Sequence, residues 1–94
     1  MASMLDKKYY TNGTPVYDLT GDQLTYYYKN GRQKARGKYI NDKMEGEWIF
    51  HRETGQLWEI GNFLDGMKHG TWTRYGRDDK VEKVQIFEKG KEVK

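Results

Sequence analysis

The feature that most limits the possible folds of this chain is an internal repeat with a period of 24 residues. When the 94-residue sequence is shifted by one period against itself, Trp48 aligns with Trp72. Two columns of rings also align, namely Tyr39, Phe63 and Phe87, and Tyr27, His51 and Tyr75. The glycines that align are Gly31 with Gly55, Gly37 with Gly61, Gly46 with Gly70, and Gly66 with Gly90. Agreement of these positions at one spacing indicates tandem copies of a single structural unit.

Each unit resolves into two strands and two turns. Tyr, Trp, Ile and Thr are frequent in the strand segments, whereas Asn and Gly in the turn segments accept the positive φ of short turns. First strands are predicted at 24–28, 47–51 and 71–75, and second strands at 33–40, 57–64 and 81–88. Hairpin turns are predicted at 29–31 and 53–55, and return turns at 41–46 and 65–70. Because every connection is short, consecutive strands should pair antiparallel, which predicts an all-β meander.

Both ends of the chain depart from the period. Residues 9–13 resemble residues 27–31 at a shift of 18, so we predict a shortened N-terminal capping unit over 1–23. The repeats then occupy 24–94, in units of about 24–47, 48–71 and 72–94. In the last unit Asp79 replaces the glycine equivalent to Gly55, and Gln85 replaces the one equivalent to Gly61. Atypical terminal units prevent a repeat array from stacking indefinitely.

The composition agrees with a thin but folded β-structure. Hydrophobic residues are 35% and charged residues 33% of the chain, which allows only a small core. Aromatic residues nevertheless reach 15%, and 17 cations nearly balance 14 anions, unlike in a disordered segment. The sequence has no cysteine and no apolar run of the roughly 18 residues that a membrane span needs. No secretory signal is visible at 1–8, so we expect a cytoplasmic location, free or peripheral to a membrane.

Residues that could carry catalysis are almost absent. Ser3 is the sole serine and there is no cysteine, which argues against a nucleophilic enzyme. His51 and His69 fall in different repeat positions, a strand and a return turn, with no ligand spacing between them. We interpret His51 as a substitute for a packing tyrosine and His69 as a solvated turn residue. The sequence therefore predicts no enzyme activity, no cofactor and no metal site.

The repeat resembles the MORN repeat, in the variant common in small bacterial proteins. Its motif is Gly-x-Trp-x-x-Tyr-x-x-x-Gly-x-Leu-x-x-x-Gly-x-Phe-x-x-Gly-x-x-x-Gly. The chain matches this motif with Gly46, Trp48, His51 in the tyrosine position, Gly55, Leu57, Gly61, Phe63, Gly66 and Gly70. The motif restarts with Trp72, Tyr75 and Phe87, so the resemblance covers roughly residues 24–90.

The resemblance implies a fold and a class of function. MORN-type proteins fold as an elongated, twisted single sheet of consecutive hairpins. Their arrays are generally taken as scaffolds for protein–protein contact or as phospholipid-binding modules, and some small bacterial members are described as antitoxin-like. A kinase label, derived from larger kinases that contain such repeats, would not apply, because 94 residues cannot hold a kinase fold.

Strand alternation assigns the candidate binding residues to one face of the sheet. The opposite face, which carries the tryptophans and the Tyr39 column, is interpreted as core together with Leu57 and Val81. On the binding face, a stripe of four cations roughly 20 Å long would suit an anionic partner; it consists of Arg32, Lys34, Arg36 and Lys38. Later units carry residues suited to an apolar partner or to self-association, namely Trp58, Ile60, Val84 and Ile86.

Two simpler explanations of these residues stay open. The cations could be ordinary solubility residues, partly neutralised by Glu47 or Glu53 on the neighbouring strand. The four apolar residues could form a second small core.

A single-layer sheet with apolar residues on both faces and two open edges predicts a covering partner. We expect another protein, or a second copy bound by face stacking or edge-strand pairing. The alternative is peripheral binding of anionic phospholipid headgroups by the basic stripe, with Trp58 and the tyrosines beside it. Nucleic acid is disfavoured, because 14 acidic residues dilute the positive field and no nucleic-acid motif is present.

Overall fold

The structure, a computed structural model, describes residues 5 and 7–94. Positions 1–4 and 6, which belong to the predicted N-terminal unit and include Ser3, lie outside the described residues. The described residues form nine strands and no helix. The strands are β1 (Tyr17–Thr20), β2 (Gln23–Tyr27), β3 (Gln33–Ile40), β4 (Lys43–His51), β5 (Leu57–Leu64), β6 (Met67–Lys68), β7 (Gly70–Tyr75), β8 (Val81–Glu88) and β9 (Lys91–Glu92).

The strands form a single open sheet in the order β1-β2-β3-β4-β5-β7-β8-β9, and the short β6 pairs with β5. Every pairing between named strands is antiparallel. The described strands all belong to this one sheet, and the molecule measures 42 × 34 × 21 Å along its principal axes. The predicted all-β meander is confirmed, and the three long second strands have the predicted bounds.

Four turns share one hydrogen-bond pattern. In the turn at 28–32, the amide of Tyr28 donates to the carbonyl of Arg32 at 2.8 Å, and the amide of Gly31 donates to the carbonyl of Tyr28 at 2.9 Å. The same two bonds close the turns at 10–14, 52–56 and 76–80. The residue with positive φ is a glycine in the first three turns and Asp79, at 64°, in the fourth. Aspartate tolerates this conformation better than most side chains, which explains how the turn survives the replacement.

The return connections are shorter than the sequence predicted. They are two-residue turns in which both residues have positive φ, as type I′ hairpins require: Asn41-Asp42, Asp65-Gly66 and Lys89-Gly90. The following strands therefore start at Lys43 and Met67, inside the segments predicted as turns. Gly46 and Gly70 also have positive φ, but they mark irregularities within or beside strands.

The core lies on one face, which we call the tryptophan face. Trp48 is opposite Gly37 and is fully buried. A Cβ atom on Gly37 would lie 2.4 Å from the Trp48 ring, and one on Gly61 would lie 2.1 Å from the Trp72 ring. Both rings therefore lie flat on a strand that only glycine leaves open. Each indole Nε1 donates to a carbonyl ten residues earlier, at 3.0 Å for Trp48 and 2.9 Å for Trp72.

Other rings stand edge-on between the tryptophans. The Phe63 ring is nearly perpendicular to both indoles, with centroids 6.2 Å from Trp48 and 5.1 Å from Trp72. The Lys68 ammonium lies 4.5 Å from the Trp72 centroid and 4.9 Å from that of Phe87. The other buried hydrophobic residues of this core are Leu24, Ala35 and Tyr39. Trp48, Trp72 and Tyr39 are buried as predicted, whereas Phe63 and Phe87 of the Tyr39 column are half-buried on the same face.

We call the opposite surface the open face. Residues directly opposite one another on successive strands form a row across it, which runs through Thr25, Arg36, Ile49, Ile60, Thr73 and Val84. Leu57 pairs with His51, and Val81 with Tyr75, which places them on this face as well. Their predicted place in the core is therefore wrong, because a register shift precedes each pair and reverses the alternation.

Candidate binding faces

The four predicted cations do not form one stripe. Between β2 and β3, Tyr26 pairs with Ala35 but Tyr27 pairs with Gln33, which leaves Lys34 as the extra residue of a bulge. Its ammonium lies 5.7 Å from the centroid of the Tyr28 ring.

Arg32 precedes the strand and belongs to a turn. Its guanidinium donates to the backbone carbonyl of Thr54 in the next hairpin turn. Since Lys34 is also diverted, only Arg36 and Lys38 remain on the open face as predicted, and the continuous stripe is wrong.

Arg36 and Lys38 lie on opposite sides of Gly37 in an open groove of about 500 Å³. The remaining lining residues are Thr20, Asp22, Gln23, Glu47 and Ile49. Neither cation has a carboxylate within 4.0 Å, because the one ion pair in the described part of the chain joins Arg74 to Glu59. Two cations and two carboxylates thus surround one aliphatic side chain, and the groove has little net charge.

Trp58 is not on the face that alternation predicted. Between β4 and β5, Phe50 pairs with Glu59 but His51 pairs with Leu57, so Trp58 is the extra residue of a second bulge. The Trp58 ring lies 5.5 Å from the guanidinium carbon of Arg74.

Arg74 identifies the face on which this ring lies. It pairs with Glu59 in the sheet, and its Nη2 is 3.8 Å from the Glu59 Oε2. Because Glu59 is opposite Phe50, which stacks near both indoles, all of these side chains belong to the tryptophan face. The prediction that Trp58 shares a face with Ile60 is therefore wrong.

Ile60, Val84 and Ile86 do lie on the open face, as predicted. Ile60 is half-buried between Ile49 and Thr73, whereas Val84 is 57% exposed and Ile86 53% exposed. The sequence reasoning missed Ile49, although alternation within 47–51 places it on this face. That residue connects Arg36 to the aliphatic part of the row.

Three further apolar residues continue this surface around β8. Leu64 and Met67 are directly opposite each other and are 50% and 44% exposed. Val93, also 50% exposed, donates its amide to the carbonyl of Ile86 at 2.7 Å. We call the resulting surface the β8 patch, which comprises Leu64, Met67, Val84, Ile86 and Val93. Met67 was missed because the return turn was predicted to be longer than it is.

Burial perturbs four titratable side chains among the described residues: it raises the pKa values of Tyr26, Tyr28 and Tyr39 and lowers that of His51. The charge of Arg36 further lowers the pKa of His51, whose buried Nδ1 has no hydrogen-bond partner within residues 5 and 7–94. Burial, with smaller contributions from Tyr39 and Tyr17, raises the pKa of Tyr26 to about 12. The Tyr26 hydroxyl is also buried, with no hydrogen-bond partner in the described part of the chain.

No cluster of three or more His, Asp or Glu side chains that could bind a metal occurs within residues 5 and 7–94. The same residues contain no helix able to cross a membrane. No protein-family model matches the chain, and neither a curated protein nor a solved structure matches it significantly.

Proposed function

We propose that this chain is a non-catalytic β-repeat scaffold that binds another protein on its open face. The observation that carries the proposal is the row from Arg36 through Ile49 and Ile60 to Val84, which no second layer covers in the described residues. Sheets normally bury such a face against another layer. Burial of aliphatic surface at about 25 cal/mol per Å² would drive the association.

The resemblance to MORN repeats supports the same proposal, since such arrays are generally taken as scaffolds for protein contact. An antitoxin-like protein would act by covering a surface of its partner. A broad sheet suits that task, because the molecule extends 42 and 34 Å along its two longer axes. A standard protein interface needs only about 800 Å² on each side.

Peripheral binding of anionic phospholipid is the second candidate, and the structure gives it less support than the sequence did. Each cation near an anionic membrane contributes about 1 kcal/mol. Of the predicted stripe, only Arg36 and Lys38 remain together on the open face, and Asp22 and Glu47 line the same groove. The stripe would therefore contribute about 2 kcal/mol, too little for stable binding without a second contact.

Capture of the partner tests the proposal. Purified protein with a photo-crosslinking residue at position 60, on the open face, would be exposed to native extract. The matched control carries the same residue at position 85, opposite Trp72 on the tryptophan face. We expect one protein to crosslink at position 60 only, at both low and high salt, and binding to be lost in Ile49→Thr with Ile60→Thr.

Two results would contradict the protein-binding proposal. One is a partner that crosslinks at position 85 but never at 60. The other is co-sedimentation with phosphatidylserine vesicles that salt and Arg36→Glu with Lys38→Glu abolish, without any protein captured. That second result would favour the phospholipid alternative.

A further inference from the structure

We propose that a second copy of this chain docks face to face on the β8 patch. The inference rests on the proposed function, because it assigns one partner to the open face. Its starting observation is that the five side chains of the patch are each 44–57% exposed. Single exposed aliphatic residues are common on proteins, whereas five on the same face of neighbouring strands indicate an interaction surface.

The sheet register places the patch residues on one face, in two neighbouring groups. Val84 and Ile86 lie on the same side of β8, with Val93 beside Ile86. Leu64 and Met67 belong to the hairpin of β5 and β6. The β8–β9 turn contacts this hairpin, because the Gly90 amide donates to the Lys68 carbonyl at 2.9 Å.

The charges at the patch favour an identical partner. Glu88 and Lys91 are directly opposite each other on β8 and β9. Asp65 and Lys89, in the two neighbouring turns, again have opposite signs. The border of the patch is therefore neutral overall, so two copies do not repel each other. In a two-fold arrangement each copy can oppose its cations to the carboxylates of the other.

The shape of the patch gives the second copy a place to dock. A depression of about 180 Å³ is lined by the apolar residues Leu64 and Met67 and by the polar residues Asp65, His69, Glu88 and Lys89. Its volume is sufficient for a single aliphatic side chain. Under two-fold symmetry each copy supplies a depression and also an exposed side chain, such as Ile86, for the depression of the other copy. The same patch on both copies therefore forms the whole interface.

Docking by the sheet edge is disfavoured by Gln85. Within the repeat, the tryptophan of each new unit lies over a glycine of the preceding strand, namely Gly37 or Gly61. A Cβ atom on either glycine would lie within 2.4 Å of the indole ring. Gln85 fills the equivalent position on β8. A strand of a second copy therefore cannot extend the array beyond β8 with the same packing, which disfavours association through this edge.

Sedimentation equilibrium of the purified chain tests the inference, over concentrations from roughly 1 μM to 1 mM. We expect the mass to rise from 11.2 kDa towards twice that value. Ile86→Lys should weaken association by about 100-fold or more, because the ammonium would be buried without a partner. Gln85→Lys is the matched control, since it adds the same charge one residue away on the opposite face. It should associate like the wild type.

Far-UV circular dichroism and tryptophan fluorescence would establish that each variant is folded. If Ile86→Lys does not fold, Val84→Thr with Ile86→Thr provides a variant of similar size and strand preference. A wild-type mass of 11.2 kDa at every concentration overturns the inference. Unchanged association of the folded patch variants overturns it too. Both outcomes leave the protein-binding proposal intact, because crosslinking at position 60 tests that proposal separately.

Discussion

Gly61→Ala tests the packing on which the whole fold depends. In the interior of a strand this substitution is usually favourable, because glycine loses more backbone entropy on folding. Here the new Cβ would lie 2.1 Å from the Trp72 ring, and ordinary contact begins near 3.4 Å. The indole must move by more than an ångström. That movement disrupts its hydrogen bond to the Asn62 carbonyl and its edge contact with Phe63.

The cost follows from the contacts that the displaced ring loses. Overpacking costs about 1–3 kcal/mol, the hydrogen bond about 1 kcal/mol and the ring pair about 0.5–1.5 kcal/mol. Because these effects overlap, we expect a net loss of about 2–4 kcal/mol. A domain of this size has a total stability of roughly 5–15 kcal/mol, so the melting temperature should fall by roughly 10–20 °C.

Urea denaturation followed by tryptophan fluorescence measures this loss, and two controls isolate its cause. Gln85 occupies the position equivalent to Gly61 in the next repeat, but no tryptophan lies over it. Gln85→Gly should therefore lower the free energy of unfolding by less than about 1 kcal/mol. In a Trp72→Leu background the Gly61→Ala substitution should become nearly neutral, as a double-mutant cycle would show. A Gly61→Ala protein at least as stable as the wild type would refute the stacking explanation.

Two further predictions concern the perturbed titrations. As the pH drops, His51 gains its proton near pH 6.5 in the unfolded chain and only at lower pH in the folded chain, so the free energy of unfolding should fall below pH 6.5. His51→Gln should reduce this dependence on pH, whereas the control His69→Gln, at an exposed position, should not. An unchanged dependence in His51→Gln would contradict the prediction. Tyr26 loses its proton near pH 10 when unfolded and at about 12 when folded, so stability should fall between these values. Tyr26→Phe should remove that loss. At pH 7 the substitution should be neutral or up to about 1 kcal/mol stabilising, because the buried hydroxyl has no partner among the described residues. A clear destabilisation in urea would show that the hydroxyl is bonded.

Most of the fold could be predicted because the geometry of the repeat requires particular residue types at fixed positions, and few other structures require the same types at that spacing. Glycine opposite tryptophan, as in Gly37 with Trp48, is a steric condition that is visible at a fixed spacing. Short turns with Asn or Gly fix antiparallel order. The predicted site was less accurate, because face assignment depends on strict alternation, and each bulge shifts the alternation by one residue.

A sequence signal for those bulges exists, but it is visible only when two repeats are compared. Lys34 and Trp58 occupy equivalent positions, and so do their neighbours Tyr28 and Arg52. In one unit a lysine lies over a tyrosine ring at 5.7 Å, and in the next an arginine lies over a tryptophan ring at 5.8 Å. Cation and ring have exchanged places, which indicates that the two positions contact each other on one face. Alternation alone would have placed them on opposite faces.

The packing on the tryptophan face also explains how a single layer can fold and still leave a surface for partners. Because each indole lies flat against a glycine, the rings form a core within the thickness of one sheet. The second layer that most sheets need for folding is replaced by these rings. If the open face binds a partner as proposed, residues such as Ile60 and Ile86 serve recognition, whereas the tryptophan face provides stability. Substitutions on the two faces should then separate the two properties.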